Sequence, residues 1–162
     1  MFKDAITLKI LPKPKISAKD FQMNYLEGKY YKIRILDGNG KPVGKNEVVS
    51  FKIRKSGGKT YKQMTVKTDA NGYAKFKVNF IPDNYDVKIS YKGVSLTRSL
   101  EVNSIVFLHQ FQIKKSAKKL ILNMELSKVN GKYLKGKIMT LKFNGKTYKA
   151  KTNKKGEAQV II

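Results

Sequence analysis

The chain has 162 residues and no cysteine, and it carries 35 Lys and Arg against 11 Asp and Glu, a formal net charge of +24. The missing cysteines exclude disulfide frameworks, thiolate metal sites and cysteine nucleophiles, and the longest purely apolar run, Ile105 to Leu108, is far short of the roughly 18 residues of a membrane-spanning helix. Residues 1–102 hold 21 basic and 9 acidic side chains and residues 103–162 hold 14 and 2, so 21 − 9 and 14 − 2 leave the same surplus of 12 on a shorter second segment.

At the N-terminus, Met1-Phe-Lys-Asp4 does not read as a secretory signal, and with no membrane insertion in this segment the chain reads as soluble. Ala5 to Leu11 reads as a strand and Pro12-Lys-Pro14 as a stiff joint, so residues 1–15 resemble the tail of a preceding repeat. Next come Tyr31, Ile33 and Ile35 in period two, the turn Asp37-Gly-Asn-Gly40, and a strand carrying Val49, Phe51 and Ile53. After Ser56-Gly-Gly58 and Asn71-Gly72, the run Ala74 to Phe80 alternates strictly, with Ala74, Phe76, Val78 and Phe80 inward and Lys75, Lys77 and Asn79 outward. Tyr85, Val87, Ile89 and Tyr91 form the next inward row, followed by Leu96 to Val102.

The pattern then recurs with Leu122, Met124 and Leu126, the turn Asn130-Gly131, the row Met139, Leu141, Phe143, the turn Asn144-Gly145 and the row Ala158, Val160, Ile162. Asn144-Gly145 has the chemistry of a two-residue type I′ hairpin loop. No stretch reads as a helix, and the lysines alternate with apolar residues as on solvated strand faces. Short strands separated by regular turns predict an all-β sandwich or barrel. Ile81-Pro-Asp-Asn-Tyr85 favours the sandwich, because a tyrosine at the start of the penultimate strand of an Ig-like domain forms a tyrosine corner; the plainer alternative is an ordinary turn before a strand with an inward tyrosine.

The chain also repeats itself. Gly58-Lys-Thr-Tyr-Lys62 returns as Gly145-Lys-Thr-Tyr-Lys149, and Lys67-Thr-Asp-Ala-Asn-Gly72-Tyr-Ala74 returns as Lys151-Thr-Asn-Lys-Lys-Gly156-Glu-Ala158. Asn39-Gly-Lys-Pro-Val43 matches Asn130-Gly-Lys-Tyr-Leu134. Self-similarity at a domain-sized period predicts two modules: a complete Ig-like sandwich at 16–102 and a second, related unit at 103–162. In this alignment the strand Ala158 to Ile162 corresponds to Ala74 to Val78, so the second unit lacks the last two strands of the first. The chain therefore reads as a window onto a longer array, with those strands supplied by further polypeptide, another copy or the N-terminal strand.

The residues from Ser17 to Tyr91, with Tyr30-Tyr31, Leu36-Asp-Gly-Asn-Gly-Lys-Pro-Val43, Thr68-Asp-Ala-Asn-Gly-Tyr-Ala74 and Pro82-Asp-Asn-Tyr85, resemble the Ig-like repeats of large archaeal (methanogen) adhesin-like surface proteins. Asn130 to Ala158 resembles a lysine-rich variant from the same proteins. The resemblance implies extracellular display at the cell surface, tandem stacking and adhesion or cell-wall association, with neighbouring repeats and anionic surface polymers or host glycans as partners.

Nothing in the sequence calls for catalysis, a cofactor or a small-molecule substrate. His109, the only histidine, has no acidic neighbour in sequence and reads as a linker or strand residue. Asp37-Gly-Asn-Gly40 begins like a calcium loop but lacks the remaining oxygens and the terminal glutamate, so it reads as a turn, and an isopeptide staple is disfavoured because period two points the lysines outward. The signature residues, Tyr85, Asn71, Gly72, Asn144, Gly145 and Gly156, are structural. Two alternatives stand beside an adhesive module: a nucleic-acid-binding basic β-domain, against which Tyr31, Tyr85 and Tyr91 fall in the inward register, and a carbohydrate-binding module, which would need exposed aromatic platforms in a chain without tryptophan.

Overall fold

The computed structural model of the chain describes residues 12–109 and 118–162, and every regular element among them is a strand. The expected strand at 5–11 and most of the passage at 113–118 lie outside the described residues. Contacts gather into two compact units, the first ending at Val102 and the second combining Asn103–Ile162 with the short segment Asn24–Glu27.

In the first unit the strands are β1 (Lys15–Ser17), β2 (Phe21–Asn24), β3 (Tyr30–Leu36), β4 (Val48–Lys55), β5 (Lys62–Lys67), β6 (Tyr73–Lys77), β7 (Asp83–Tyr91) and β8 (Val94–Asn103). They form a three-stranded sheet in the order β1-β3-β6 and a five-stranded sheet in the order β2-β8-β7-β4-β5. The chain changes sheet between β1 and β2, β2 and β3, β3 and β4, β5 and β6, and β6 and β7, the connectivity of an Ig-like sandwich. Strands β1 and β2 carry Ile16 and Met23 into the core; they are too short for their alternation to stand out beside Pro12-Lys-Pro14.

Period two builds the core from both layers. Tyr31, Ile33 and Ile35 come from β3, Val49, Phe51 and Ile53 from β4, and Tyr85, Val87, Ile89 and Tyr91 from β7, all buried. Phe76 of β6 lies edge-on to Tyr31 at 5.7 Å and to Phe51 at 5.1 Å, so one ring joins the two sheets. Each such side chain removed from water contributes about 1.5–3 kcal/mol.

The second unit contains β9 (Val106–His109), β10 (Ile121–Leu126), β11 (Ile138–Phe143), β12 (Lys146–Lys151) and β13 (Glu157–Ile161). One sheet runs β13-β10-β9 and the other is the hairpin β11-β12. Its ladders repeat those of the first unit residue for residue: β3 pairs Ile33 with Ala74 where β10 pairs Met124 with Ala158, and β4 pairs Val49 with Val66 where β11 pairs Met139 with Ala150. Its core is smaller, made of Ile105, Met124, Leu126, Val129, Met139, Ala158 and Val160, with Tyr25, Leu141 and Tyr148 packed against it.

Among the described residues, β2, β7 and β8 have no counterpart in the second unit. Strand β4 lies between β5 and β7, whereas β11, among the described residues, pairs with β12 alone. Burial follows from this. Val49, Phe51 and Ile53 are 0%, 0% and 3% exposed, while in the matching row Met139 is buried, Leu141 is half-buried and Phe143 is 43% exposed. Sequence alternation placed Phe143 inward; with no strand in the position of β7 among the described residues, its ring meets solvent.

Candidate functional site

The residues singled out by the sequence hold turns and corners, and they do not converge on one place. Tyr85 opens the inward row of β7 and donates its hydroxyl to the Ile81 carbonyl at 2.8 Å, the geometry of a tyrosine corner. Its ring packs on Phe80 at 5.1 Å. Asn144 and Gly145 join β11 to β12 with φ of 46° and 75°, both positive as a type I′ turn requires. Lys92 and Gly93, at 41° and 80°, make the same turn between β7 and β8; with lysine in place of the usual Asn or Asp, it gave no turn signal in the sequence.

Asn71 and Gly72 belong to the turn before β6. There the Asp69 carboxylate accepts backbone N–H bonds from Asn71 and Tyr73, each at 2.9 Å, and Gly72 has a φ of 74°. In the second unit the Asn153 side-chain oxygen accepts from Lys155 at 2.8 Å and Glu157 at 3.1 Å, with Gly156 at a φ of 79°. Glycine is required by more than its dihedral. A Cβ on Gly72 would lie 2.5 Å from the Ile35 carbonyl oxygen, and one on Gly156 would lie 3.0 Å from that of Leu126.

A second matched pair, Thr68 and Thr152, was visible only as an identity in the repeat alignment. Each is buried. Thr68 Oγ1 accepts the Glu47 N–H at 3.0 Å and donates to the Gly44 carbonyl at 2.7 Å; Thr152 Oγ1 accepts the Lys137 N–H at 2.9 Å and donates to the Leu134 carbonyl at 2.5 Å. One hydroxyl thus ties the loop before β4, or before β11, to the end of the next strand.

The acidic and basic groups form small local clusters. Tyr91 donates to Glu47 at 2.7 Å and Lys92 lies 2.9 Å from the same carboxylate, whose pKa is lowered first by the Lys92 hydrogen bond and then by Tyr91. Arg54 pairs with Asp86 at 3.0 Å and Lys55 with Asp83 at 2.6 Å. The Asp37 loop uses its carboxylate as a turn cap, accepting the Asn39 and Lys41 N–H groups at 2.9 Å each. His109 lies on β9, and the fold supplies the acidic neighbour that the sequence did not: Glu125 of β10, 3.3 Å away. These two line an open cavity of about 640 Å³ with Asn123, Lys151, Asn153 and Glu157. Among the described residues, no group of three or more potential metal-ligating side chains occurs.

Burial sorts the tyrosines. Tyr31, Tyr85 and Tyr91 are 2%, 7% and 4% exposed and belong to the core, with the Tyr31 hydroxyl donating to the Lys19 carbonyl at 2.9 Å. Tyr30 and Tyr73 point outward from β3 and β6, among lysines.

No family model matches the sequence, and no curated protein does. Among solved structures, the chain is similar to a tetra-tandem repeat in the extending region of a large adhesion protein, at 15% identity and a TM-score of 0.38, covering 91% of this chain and 40% of that one. It is similar also to a Ca2+-stabilized adhesin that helps an Antarctic bacterium reach out and bind ice, at 16% identity and a TM-score of 0.29, covering 94% and 41%. A titin fragment is similar at 12% identity and a TM-score of 0.40, covering 94% and 97%. The chain spans about two fifths of the length of the two adhesin chains.

Proposed function

We propose that the chain is a non-enzymatic structural and adhesive module, a stretch of a tandem Ig-like array displayed at the cell surface that contacts anionic wall or host polymers through lysine-rich faces. The observation that carries the reading is the double use of one plan: the same ladder register, the same threonine tie and the same glycine turn occur twice within 162 residues. A unit repeated with its framework intact and its surface changed suits a spacer or a scaffold for display, because each sandwich carries its own core.

Within such an array the second unit is completed by a pair of strands equivalent to β7 and β8. The edge of β11 that no other described strand pairs with and the exposed Phe143 support this, since strand edges and apolar faces of this kind are otherwise prone to unwanted pairing. Nucleic-acid binding through stacked tyrosines is the weaker alternative, because Tyr31, Tyr85 and Tyr91 are core residues.

Antibodies raised against the chain and applied to source cells test display. Labelling of intact, unpermeabilised cells is the expected result. Labelling that appears only after permeabilisation would overturn it.

A further inference from the structure

The two units share a framework but differ in the charge of one sheet. In the first unit, β1, β3 and β6 contain five cations, Lys15, Lys32, Arg34, Lys75 and Lys77, and no Asp or Glu. In the second unit the matching strands β9, β10 and β13 contain no Lys or Arg at all, and carry Glu125 and Glu157. Lysine on this sheet is therefore not demanded by the fold.

The face is also costly as built. Lys32 and Lys75 lie directly opposite each other in the β3–β6 ladder, and like charges in that relation destabilise a sheet. On the five-stranded sheet, by contrast, carboxylates offset part of the charge through the Arg54–Asp86 and Lys55–Asp83 pairs. Two carboxylates border the basic face: Asp69 is held in its turn by the Asn71 and Tyr73 N–H groups, and Asp20, which lines a recess with Lys32, Arg34 and Tyr73, accepts the Ser99 N–H at 2.9 Å. Two exposed or half-buried rings complete the surface: Lys32 Nζ sits 3.7 Å and the Arg34 guanidinium 5.0 Å from the centre of Tyr73, and Lys75 Nζ sits 5.2 Å from that of Tyr30.

We infer that the outer face of β1, β3 and β6 is a docking surface for a linear acidic polysaccharide; this rests on the reading of the chain as a surface module and names the ligand of that module. Cations on alternate residues stand about 7 Å apart along a strand and about 5 Å apart across strands, a grid that meets a polymer with one anionic group per sugar. Bases are poorly served, because ammonium and guanidinium groups already occupy faces of Tyr73 and Tyr30, and single-strand binders need open rings. The glycan is held by the lysine ammonium groups.

The test uses the whole chain, immobilised polygalacturonate as the acidic glycan, and a thymidine oligonucleotide and inorganic polyphosphate as competitors, in a salt series. The triple variant Lys32→Gln, Lys75→Gln, Lys77→Gln should bind polygalacturonate at least about tenfold more weakly, whereas Lys52→Gln, Lys67→Gln, Lys88→Gln, which removes the same charge from the other sheet, should change binding by less than about twofold. Both variants are checked to melt no lower than the parent chain, the first being expected to melt slightly higher because it removes the Lys32–Lys75 repulsion. Equal losses in the two triple variants, or tighter face-dependent binding of the oligonucleotide or polyphosphate, would overturn the inference. Surface labelling of cells is independent of this result, so failure here leaves the display reading to its own test.

Discussion

Thr68 and Thr152 hold the same post in two different sandwiches, each a buried hydroxyl that accepts one backbone N–H and donates to one backbone carbonyl across a strand junction. Valine has the same shape and can make neither bond. Thr68→Val and Thr152→Val should each destabilise their unit by about 1–3 kcal/mol, the cost of burying backbone groups without partners, as measured by urea denaturation. Serine at either position should recover most of the loss.

Gly72 and Gly156 predict an ordered pair of effects. Alanine at either must adopt a positive φ, but at position 72 the added methyl also lies 2.5 Å from the Ile35 carbonyl oxygen, against 3.0 Å from that of Leu126 at position 156. Gly72→Ala should therefore cost more than Gly156→Ala, with the latter near the 1–3 kcal/mol typical of local backbone strain. Thermal melts of the two variants would check the order.

Tyr85→Phe removes one hydrogen bond, to Ile81, and keeps the ring. The expected loss is about 1 kcal/mol, with the backbone circular dichroism of the native state unchanged. A loss several times larger would mean that the corner positions more than the β6–β7 connection.

Alkaline stability should depend on Tyr31. Burial pushes its pKa from 10.0 up to about 12, and burial also raises Tyr85 and Tyr91. A hydroxyl with its pKa raised in the folded state gives stability that is complete below pH 10 and is lost as pH climbs from there through about 12. Tyr31→Phe should flatten that decline in denaturation curves collected between pH 9 and 12. The carboxylates work in the opposite sense: backbone hydrogen bonding, first that of Tyr73, lowers Asp69, and the Lys55 bond lowers Asp83, so their contribution is present above the ordinary carboxylate range and is lost as pH falls through the depressed values.

Much of the framework was legible because period two and turn chemistry are local signals. Val49, Phe51 and Ile53 read as one face from spacing alone, and Asn144-Gly145 announced its turn through residues that tolerate positive φ. Other features depend on what lies across the fold. Phe143 has the same spacing as Ile53 but remains exposed, because burial needs a covering strand and alternation says nothing about neighbours. Lys92-Gly93 was silent since lysine seldom adopts a positive φ, and here its ammonium group gains the Glu47 carboxylate. The basic face was visible only as scattered lysines until the β3–β6 ladder set Lys32 against Lys75.

One sandwich plan is used twice, and we propose that the second use has a place for two more strands. Ile162 occupies the position of Val78, so residues 79–103 appended after Ile162 should continue the chain into that place. Amide hydrogen exchange of β11, measured with and without the appended hairpin, tests this most directly. The β11 amides should slow by about tenfold or more on addition of the hairpin, approaching those of β4. Exchange at β11 that is unchanged by the hairpin, or already as slow as at β4 without it, would rule out such a place beside β11.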